Sequence, residues 1–164
     1  CTYARSSAII LYDFCKALHI PVTVYGHSTS GNSVELYSYA EFESIDNDDK
    51  YRMMDIAARG SNRDGAALRF VAEQLVKRPE EVKILILVSD GQPAAPGYYG
   101  SAAEEDLRGI RQEYRRKGVL FIAAAIGEDK QNIERIYGDS FMDITDLNQL
   151  PVKLTAAVKR HMRV

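Results

Sequence analysis

The seven residues from 82 to 88 limit the possible folds more than any other part of the chain. They read Val-Lys-Ile-Leu-Ile-Leu-Val, and the run stops abruptly at Ser89-Asp90-Gly91. Near-continuous aliphatic runs are typical of parallel strands buried on both faces, because helices cover both sides of such a sheet. The run therefore predicts a central parallel strand that presents Asp90 at its carboxyl end.

Helix-like and strand-like patterns alternate along the rest of the chain. Apolar residues at helical spacing occupy 2–18, 68–76, 103–114, 133–137 and 150–161, and short apolar runs occupy 20–25, 119–126 and 141–144. This alternation predicts a three-layer, Rossmann-like α/β sandwich with a mostly parallel sheet and helices on both faces. We expect the first helix to be well buried, because apolar residues occupy most of its sides.

One segment follows a different pattern. From Val34 to Phe42, apolar residues alternate with glutamate and tyrosine, which is typical of a strand with one wet face. The preceding strand is expected to end at Gly26, and the Ser- and Gly-rich loop over 27–33 is short enough for a hairpin. We therefore expect one antiparallel strand at the edge of the sheet.

Charge and apolar content exclude two classes of partner. The net charge is −2, the pI is near 6.0 and 46% of the residues are hydrophobic, so the basic footprint of a nucleic-acid-binding protein is absent. No apolar run approaches the roughly 20 residues that cross a bilayer, so membrane insertion is not expected. Cys1 and Cys15 are expected to remain free thiols, which fits the reducing cytoplasm.

Ligand sites in open parallel sheets lie beyond the carboxyl ends of the strands. This rule points first to Asp90, then to the loops over 27–33 and 127–129. A second cluster of oxygen-bearing side chains, including Asn62 and Asp64, opens the helix before the aliphatic strand. Carboxylate and amide oxygens are ligands that Mg²⁺ favours. Asp90 could also cap a turn or the next helix, and Asn62 or Asp64 taken alone is more typical of a helix N-cap, so the pattern alone leaves both roles open.

Two other groups of polar residues receive a simpler interpretation. Ser28-Thr29-Ser30 is a weak candidate for metal ligation, because it follows the wrong strand and has no leading aspartate. The acidic run over 46–49 lacks the glycine and the distant glutamate of a calcium loop, so we expect a solvated loop.

The motifs on both sides of the aliphatic strand resemble the von Willebrand factor A (vWA) domain. Residues 60–68 read Gly-x-Asn-x-x-Gly-x-Ala-Leu, and the strand ends in Ser-Asp-Gly. In that family a metal-ion-dependent adhesion site combines an Asp-x-Ser-x-Ser loop after the first strand, a threonine or substitute before the second helix, and an aspartate after the central strand. The resemblance implies Asn62 and Asp90 as metal ligands, with Asp64 as an outer partner.

Further motifs resemble the C-terminal domain of NorD-type nitric oxide reductase activation proteins, a branch related to CobT-type cobaltochelatase subunits. They are Tyr-Gly-His-Ser at 25–28, Ser-Asp-Gly-x-Pro at 89–93 and Pro-Gly-Tyr-Tyr-Gly at 96–100. The family's first strand and Asp-x-Ser-x-Ser loop do not occur before the helix at Thr2. We therefore expect residues 1–164 to be a single vWA-like domain, incomplete at its N-terminal side, from the C-terminal part of a longer protein. Mg²⁺ or another divalent cation would be held weakly or not at all by this chain.

The resemblance implies a non-enzymatic, metal-ion-dependent protein-interaction domain. Its partner would be an AAA+ ATPase of the MoxR or NorQ type, and nitric oxide reductase would be the metalloenzyme matured with its help. A cobaltochelatase-like subunit is the alternative within the family. An alternative from another class is a Mg²⁺-dependent phosphohydrolase or nucleotide-binding domain that uses Asp90. A structural domain with a vestigial metal site is the third.

Overall fold

The computed structural model describes residues 2–43, 48–57, 59, 63–89, 97–125 and 130–162. Helices and strands alternate along these residues, as the sequence predicts. The helices are α1 (Thr2–Ala17), α2 (Asp49–Met53), α3 (Asp64–Val76), α4 (Gly100–Arg116), α5 (Lys130–Tyr137) and α6 (Leu150–Met162). The strands are β1 (Val24–Ser30), β2 (Ser33–Ala40), β3 (Lys83–Ser89), β4 (Val119–Ala125) and β5 (Phe141–Asp143). Two 3-10 turns, Gly138–Ser140 and Leu147–Gln149, precede β5 and α6.

The aliphatic run forms strand β3 of a parallel sheet, as predicted. β3 pairs with β4 in parallel from Lys83↔Val119 to Ser89↔Ala125, and β4 pairs with β5. The middle strand of this three-stranded sheet is β4, so the prediction that the run is central is wrong for the strands described. The outer edge of β3 pairs with no described strand, and Ile84, Ile86 and Val88 remain half-buried.

Helices cover both faces of the parallel sheet. On one face α3, α4 and α5 pack against Leu85 and Leu87 of β3 and the matching side of β4. On the other face α1 and α6 pack against Ile84, Ile86 and Val88. This confirms the predicted α/β sandwich. Within the described residues, no helix has both the length and the apolar character needed to cross a lipid bilayer.

The predicted antiparallel hairpin is confirmed, but its boundaries are different. β1 pairs with β2 from Val24↔Ala40 to Ser30↔Ser33, so the strand runs through Gly26 instead of ending there. A Cβ at Gly26 would meet the ring of Tyr39 at 2.9 Å, so this glycine marks a close approach and not a turn. The turn itself contains Gly31, whose φ of 59° suits glycine.

Two predictions about burial are wrong. α1 was expected to be well buried, yet Ser7 and Tyr12 are its only buried residues, and most of its apolar side chains are half-buried. In the acidic run, Asp49 is buried rather than solvated, and its carboxylate accepts a hydrogen bond from the Tyr12 hydroxyl (3.0 Å) and contacts Arg52. Asp46 and Asn47 lie outside the described residues. Asp49 therefore joins α2 to α1.

Candidate functional site

The carboxyl ends of β1 and β3 and the amino end of α3 meet at one edge of the molecule, called here the carboxyl edge. Asp64, the first residue of α3, and Ser89, the last residue of β3, line the same cavity. The predicted ligands Asn62 and Asp90 lie outside the described residues. They stand two residues before Asp64 and one residue after Ser89 in the sequence.

Asp64 points into the molecule and contacts a strand of the other sheet. Its Oδ1 lies 2.7 Å from Nε2 of His27 on β1, and the two side chains are 5% and 20% exposed. As the first residue of a helix, Asp64 also lies in the positive field of the α3 amino end, which favours its charge. The contact attaches the amino end of α3 to the β1–β2 hairpin.

A second contact attaches the loop that follows Asp90. The Tyr98 hydroxyl donates a hydrogen bond to Oδ2 of Asp106 on α4 (2.7 Å), and Nη2 of Arg69 on α3 donates to Oδ1 of the same carboxylate (2.8 Å). A Cβ at Gly65 would collide with Oδ2 of Asp106 and the hydroxyl of Tyr98. Glycine at position 65 therefore lets Tyr98 and Asp106 sit directly against the first turn of α3.

Two tyrosines at this edge, Tyr98 and Tyr137, have raised pKa values. Burial, the hydrogen bond to Asp106 and the negative charges of Asp106 and Asp64 raise the pKa of Tyr98. Burial and the charge of Asp64 raise the pKa of Tyr137, whose hydroxyl is buried and meets no hydrogen-bond partner in the described part of the chain. Both tyrosines thus stay protonated, and both lie within the field of Asp64.

A third carboxylate ends the outer strand of the parallel sheet. Asp143, the last residue of β5, accepts hydrogen bonds from the hydroxyl and amide of Thr145 (2.6 and 2.9 Å) and contacts the Lys130 ammonium (3.0 Å). These interactions lower the pKa of Asp143 to about 2. This carboxylate is therefore already engaged by Thr145 and Lys130 within the fold.

Sequence reasoning missed His27 and Tyr98. The sequence singles out His27 only within the loop over 27–33 and the Tyr-Gly-His-Ser motif, and Tyr98 only within the Pro-Gly-Tyr-Tyr-Gly motif. The contact of His27 is not local in sequence, because Asp64 lies 37 positions further along the chain. The weak candidate Ser28-Thr29-Ser30 lies within β1, where Ser28 donates to the backbone carbonyl of Arg59 and Thr29 is buried.

The predicted ligands carry oxygen atoms of the kind that a hard cation prefers, but Asn62 and Asp90 themselves lie outside the described residues. An amide oxygen from Asn62 and a carboxylate from Asp90 are oxygen ligands of the kind that Mg²⁺ accepts. Among the residues whose placement is described, no group of three or more histidine, cysteine, aspartate or glutamate side chains is arranged to hold a metal. Asp64, paired with His27, fits the role of an outer partner better than that of a direct ligand.

Comparison with known proteins finds matches to both the CobT and the NorD branches of the expected family. The family model described as "Cobalamin biosynthesis protein CobT VWA domain" matches residues 48–162. Protein NorD of Brucella suis biovar 1 is 34% identical over 97 residues, which are 57% of this chain and 15% of that protein. Uncharacterized protein YojO of Bacillus subtilis (strain 168) is 25% identical over 170 residues, covering 95% of this chain and 26% of YojO. The chain thus spans about a quarter or less of the length of these relatives.

One solved structure has the same fold. Proximal thread matrix protein 1 from the mussel byssus superimposes with a TM-score of 0.60 over 94% of this chain and 41% of that one. The sequence identity is 20%, so the likeness concerns the fold alone.

Proposed function

Because this chain belongs to the CobT VWA domain family, we propose that it is a metal-ion-dependent protein-interaction domain and not a catalytic one. The observation that supports this best is the convergence at the carboxyl edge. Asp64 and Ser89, the described neighbours of Asn62 and Asp90, line one cavity there. The helix start that follows Asn62 and the strand end that precedes Asp90 therefore lie at the same edge of the molecule.

In this proposal Asn62 and Asp90 hold Mg²⁺ or another divalent cation, which would accept a carboxylate of a partner protein as a further ligand. Asp64 supports the site without contacting the cation, since its carboxylate is already engaged by His27. Tyr98, through Asp106 and Arg69, keeps the loop after Asp90 against α3. Two protein ligands are few for Mg²⁺, so the remaining ligands would come from other parts of the protein.

The proposed partner is an AAA+ ATPase of the MoxR or NorQ type, acting in metalloenzyme maturation in the cytoplasm. The relatives named NorD favour the nitric oxide reductase branch, in which that reductase is the client. The match to the CobT family model favours a second candidate, a subunit of a cobaltochelatase-like complex. The two candidates share the domain and the kind of partner but differ in the client.

Binding of the full-length protein to the immobilised ATPase tests this function. Asp90→Ala is expected to reduce binding in Mg²⁺ buffer at least about tenfold, because the carboxylate is the stronger of the two proposed ligands. Asp13→Ala is the matched control: this aspartate is half-exposed on α1 and paired with Lys50 at 2.9 Å, away from the carboxyl edge. Calorimetric titration of both variants with Mg²⁺ measures metal binding separately.

Two results would contradict the proposal. Unchanged ATPase binding by Asp90→Ala would exclude a metal-bridged contact, whatever the metal affinity. Robust Mg²⁺-dependent phosphatase turnover that is lost in Asp90→Asn would place the protein among phosphohydrolases instead. Pull-down with a cobaltochelatase large subunit and with nitric oxide reductase, side by side, distinguishes the two clients.

A further inference from the structure

Tyr99 is the most exposed large hydrophobic residue in the described part of the chain, with 70% of its surface accessible. It belongs to the Pro-Gly-Tyr-Tyr-Gly motif and comes directly before α4. Among the described residues, no hydrogen bond or ring contact involves its side chain. A single exposed apolar residue is ordinary on a protein surface, so the role of Tyr99 is argued from its position and from the backbone that holds it.

The backbone around Tyr99 turns its ring toward solvent. Tyr99 is extended, with φ −155° and ψ 169°, and neighbouring side chains of an extended chain point to opposite sides. Tyr98 points toward the molecule, where its hydroxyl donates to Asp106, so Tyr99 points away from it. Gly97 and Gly100 have φ values of 71° and 62°, a left-handed conformation that glycine adopts without strain. These two turns hold the pair of tyrosines between them.

The ring of Tyr99 is therefore held in place before any partner binds. On one side of it, Tyr98 is fixed by Asp106 and by its packing against Gly65. On the other side begins α4, a helix of 17 residues that is packed into the core. A tyrosine has only two side-chain torsions, so little conformational entropy is lost when its ring is buried. Preorganised tyrosines of this kind are typical of residues that dominate the energy of an interface.

Tyr99 lies close to the carboxyl edge. The hydroxyl of Tyr98 lies against Gly65, which follows Asp64 at that edge. The Cα atom of Tyr99 is therefore within about 15 Å of the Cα atom of Gly65, because a tyrosine side chain spans about 6.5 Å and successive Cα atoms are about 3.8 Å apart. An interface of ordinary size covers about 800 Å² on each partner, a disc of about 16 Å radius. A partner centred on the carboxyl edge thus reaches Tyr99.

We propose that Tyr99 is the aromatic anchor of the partner-binding surface at the carboxyl edge. The partner surface that fits it has an apolar pocket for the phenol ring, next to the acidic residue that would reach the cation. Burial of a tyrosine removes about 150–250 Å² from water, which gives the contact a hydrophobic part that a metal bridge lacks. The proposal rests on the proposed function, since the partner is the same AAA+ ATPase.

Tyr51 provides a matched control. Its exposed fraction is 68%, close to that of Tyr99. It follows Lys50 on α2, whose ammonium pairs with Asp13 away from the carboxyl edge. Tyr51→Ala therefore removes the same side chain at the same exposure but from a different surface. Both alanine variants should keep the Tm of the unaltered protein, because both rings lie mainly in solvent.

Binding of the full-length variants to the immobilised ATPase in Mg²⁺ buffer tests the anchor. Tyr99→Ala is expected to weaken binding at least about thirtyfold, the effect of a dominant interface residue. Tyr51→Ala should bind like the unaltered protein, and so should Tyr99→Phe, which keeps the ring. Calorimetry should give the same Mg²⁺ affinity for all of them. Equal binding by Tyr99→Ala and Tyr51→Ala would overturn the proposal, and so would a loss of Mg²⁺ affinity that accounts for the effect of Tyr99→Ala.

Fluorescence measures burial of the ring directly. The sequence contains no tryptophan, so Tyr99→Trp and Tyr51→Trp each introduce one fluorescent ring. When the ATPase is added, the emission of the Tyr99→Trp variant should move to shorter wavelengths and become protected from acrylamide quenching. The emission of the Tyr51→Trp variant should not change. ATPase binding without any change in the emission of the Tyr99→Trp variant would refute a buried anchor.

Comparison with Asp90→Ala separates this proposal from the metal bridge. If Tyr99→Ala weakens binding and Asp90→Ala does not, the metal bridge fails and the aromatic anchor stands. If Asp90→Ala weakens binding and Tyr99→Ala does not, the metal bridge stands and the anchor fails. Absence of any binding between the unaltered protein and the ATPase would overturn both.

Discussion

Replacing His27 with Ala tests whether one buried contact attaches α3 to the hairpin. His27 Nε2 lies 2.7 Å from Oδ1 of Asp64, and the aspartate side chain is 5% exposed. His27 lies on β1 and Asp64 is the first residue of α3, so these two elements lose a direct link when the imidazole is removed. The truncation leaves the Asp64 carboxylate buried with one partner fewer.

The size of the expected destabilisation follows from the burial of Asp64 and from its position at the start of α3. Removing one hydrogen-bond partner of a buried group costs about 1–3 kcal/mol, and more where that group is charged, because the group keeps its desolvation penalty. The field and the amide groups of the α3 amino end offset up to about 2 kcal/mol of this for a first-turn carboxylate. Water also reaches the site, since the His27 side chain is 20% exposed. We therefore expect His27→Ala to lower the free energy of unfolding by about 2 kcal/mol.

Urea unfolding in a double-mutant cycle with Asp64→Ala measures the interaction itself. The two changes should be non-additive by about 1–2 kcal/mol, as for residues in direct contact. Asp13 and Lys50 form the matched control pair, at 2.9 Å with side chains 47% and 53% exposed, and should show a coupling below about 1 kcal/mol. Additivity of His27→Ala and Asp64→Ala within about 0.3 kcal/mol would refute the reasoning.

Four further substitutions test other parts of the structure. Gly65→Ala should destabilise the protein by about 1–3 kcal/mol in thermal unfolding, because the new Cβ collides with Tyr98. Gly109→Ala, in open space on α4, should instead stabilise it by about 0.4–1 kcal/mol. Thr145→Ala should raise the pKa of Asp143, measured by NMR titration, from about 2 toward its ordinary value of 3.8. In the unaltered protein the ionised carboxylate stabilises the fold at pH values above 3.8, and this contribution is lost as the pH falls to about 2. Tyr12→Phe should cost about 1–3 kcal/mol in urea unfolding by removing a donor from a buried carboxylate, and Tyr12 in the unaltered protein should ionise at about pH 12 by ultraviolet absorbance.

The helices and strands could be predicted because their signals are local. The aliphatic run over 82–88, the alternation after Val34 and the helical spacing of apolar residues each report burial of the segment that carries them. Gly26 misled the prediction, since a glycine that ends a strand and one that admits a tyrosine ring look alike in sequence. Asp49 misled it for a related reason: whether an acidic residue is solvated depends on Tyr12, 37 residues away.

Prediction of the candidate site from the sequence has a similar limit. Residue type and strand-end position suffice to nominate Asn62, Asp64 and Asp90, because ligand chemistry and sheet topology are general. They cannot show that His27 engages Asp64, since that contact depends on how the hairpin is placed against α3. The pairing of Asn62 and Asp90 as metal ligands came from the resemblance to the vWA family and not from the periodicity of the sequence. The match to the CobT model confirms that family.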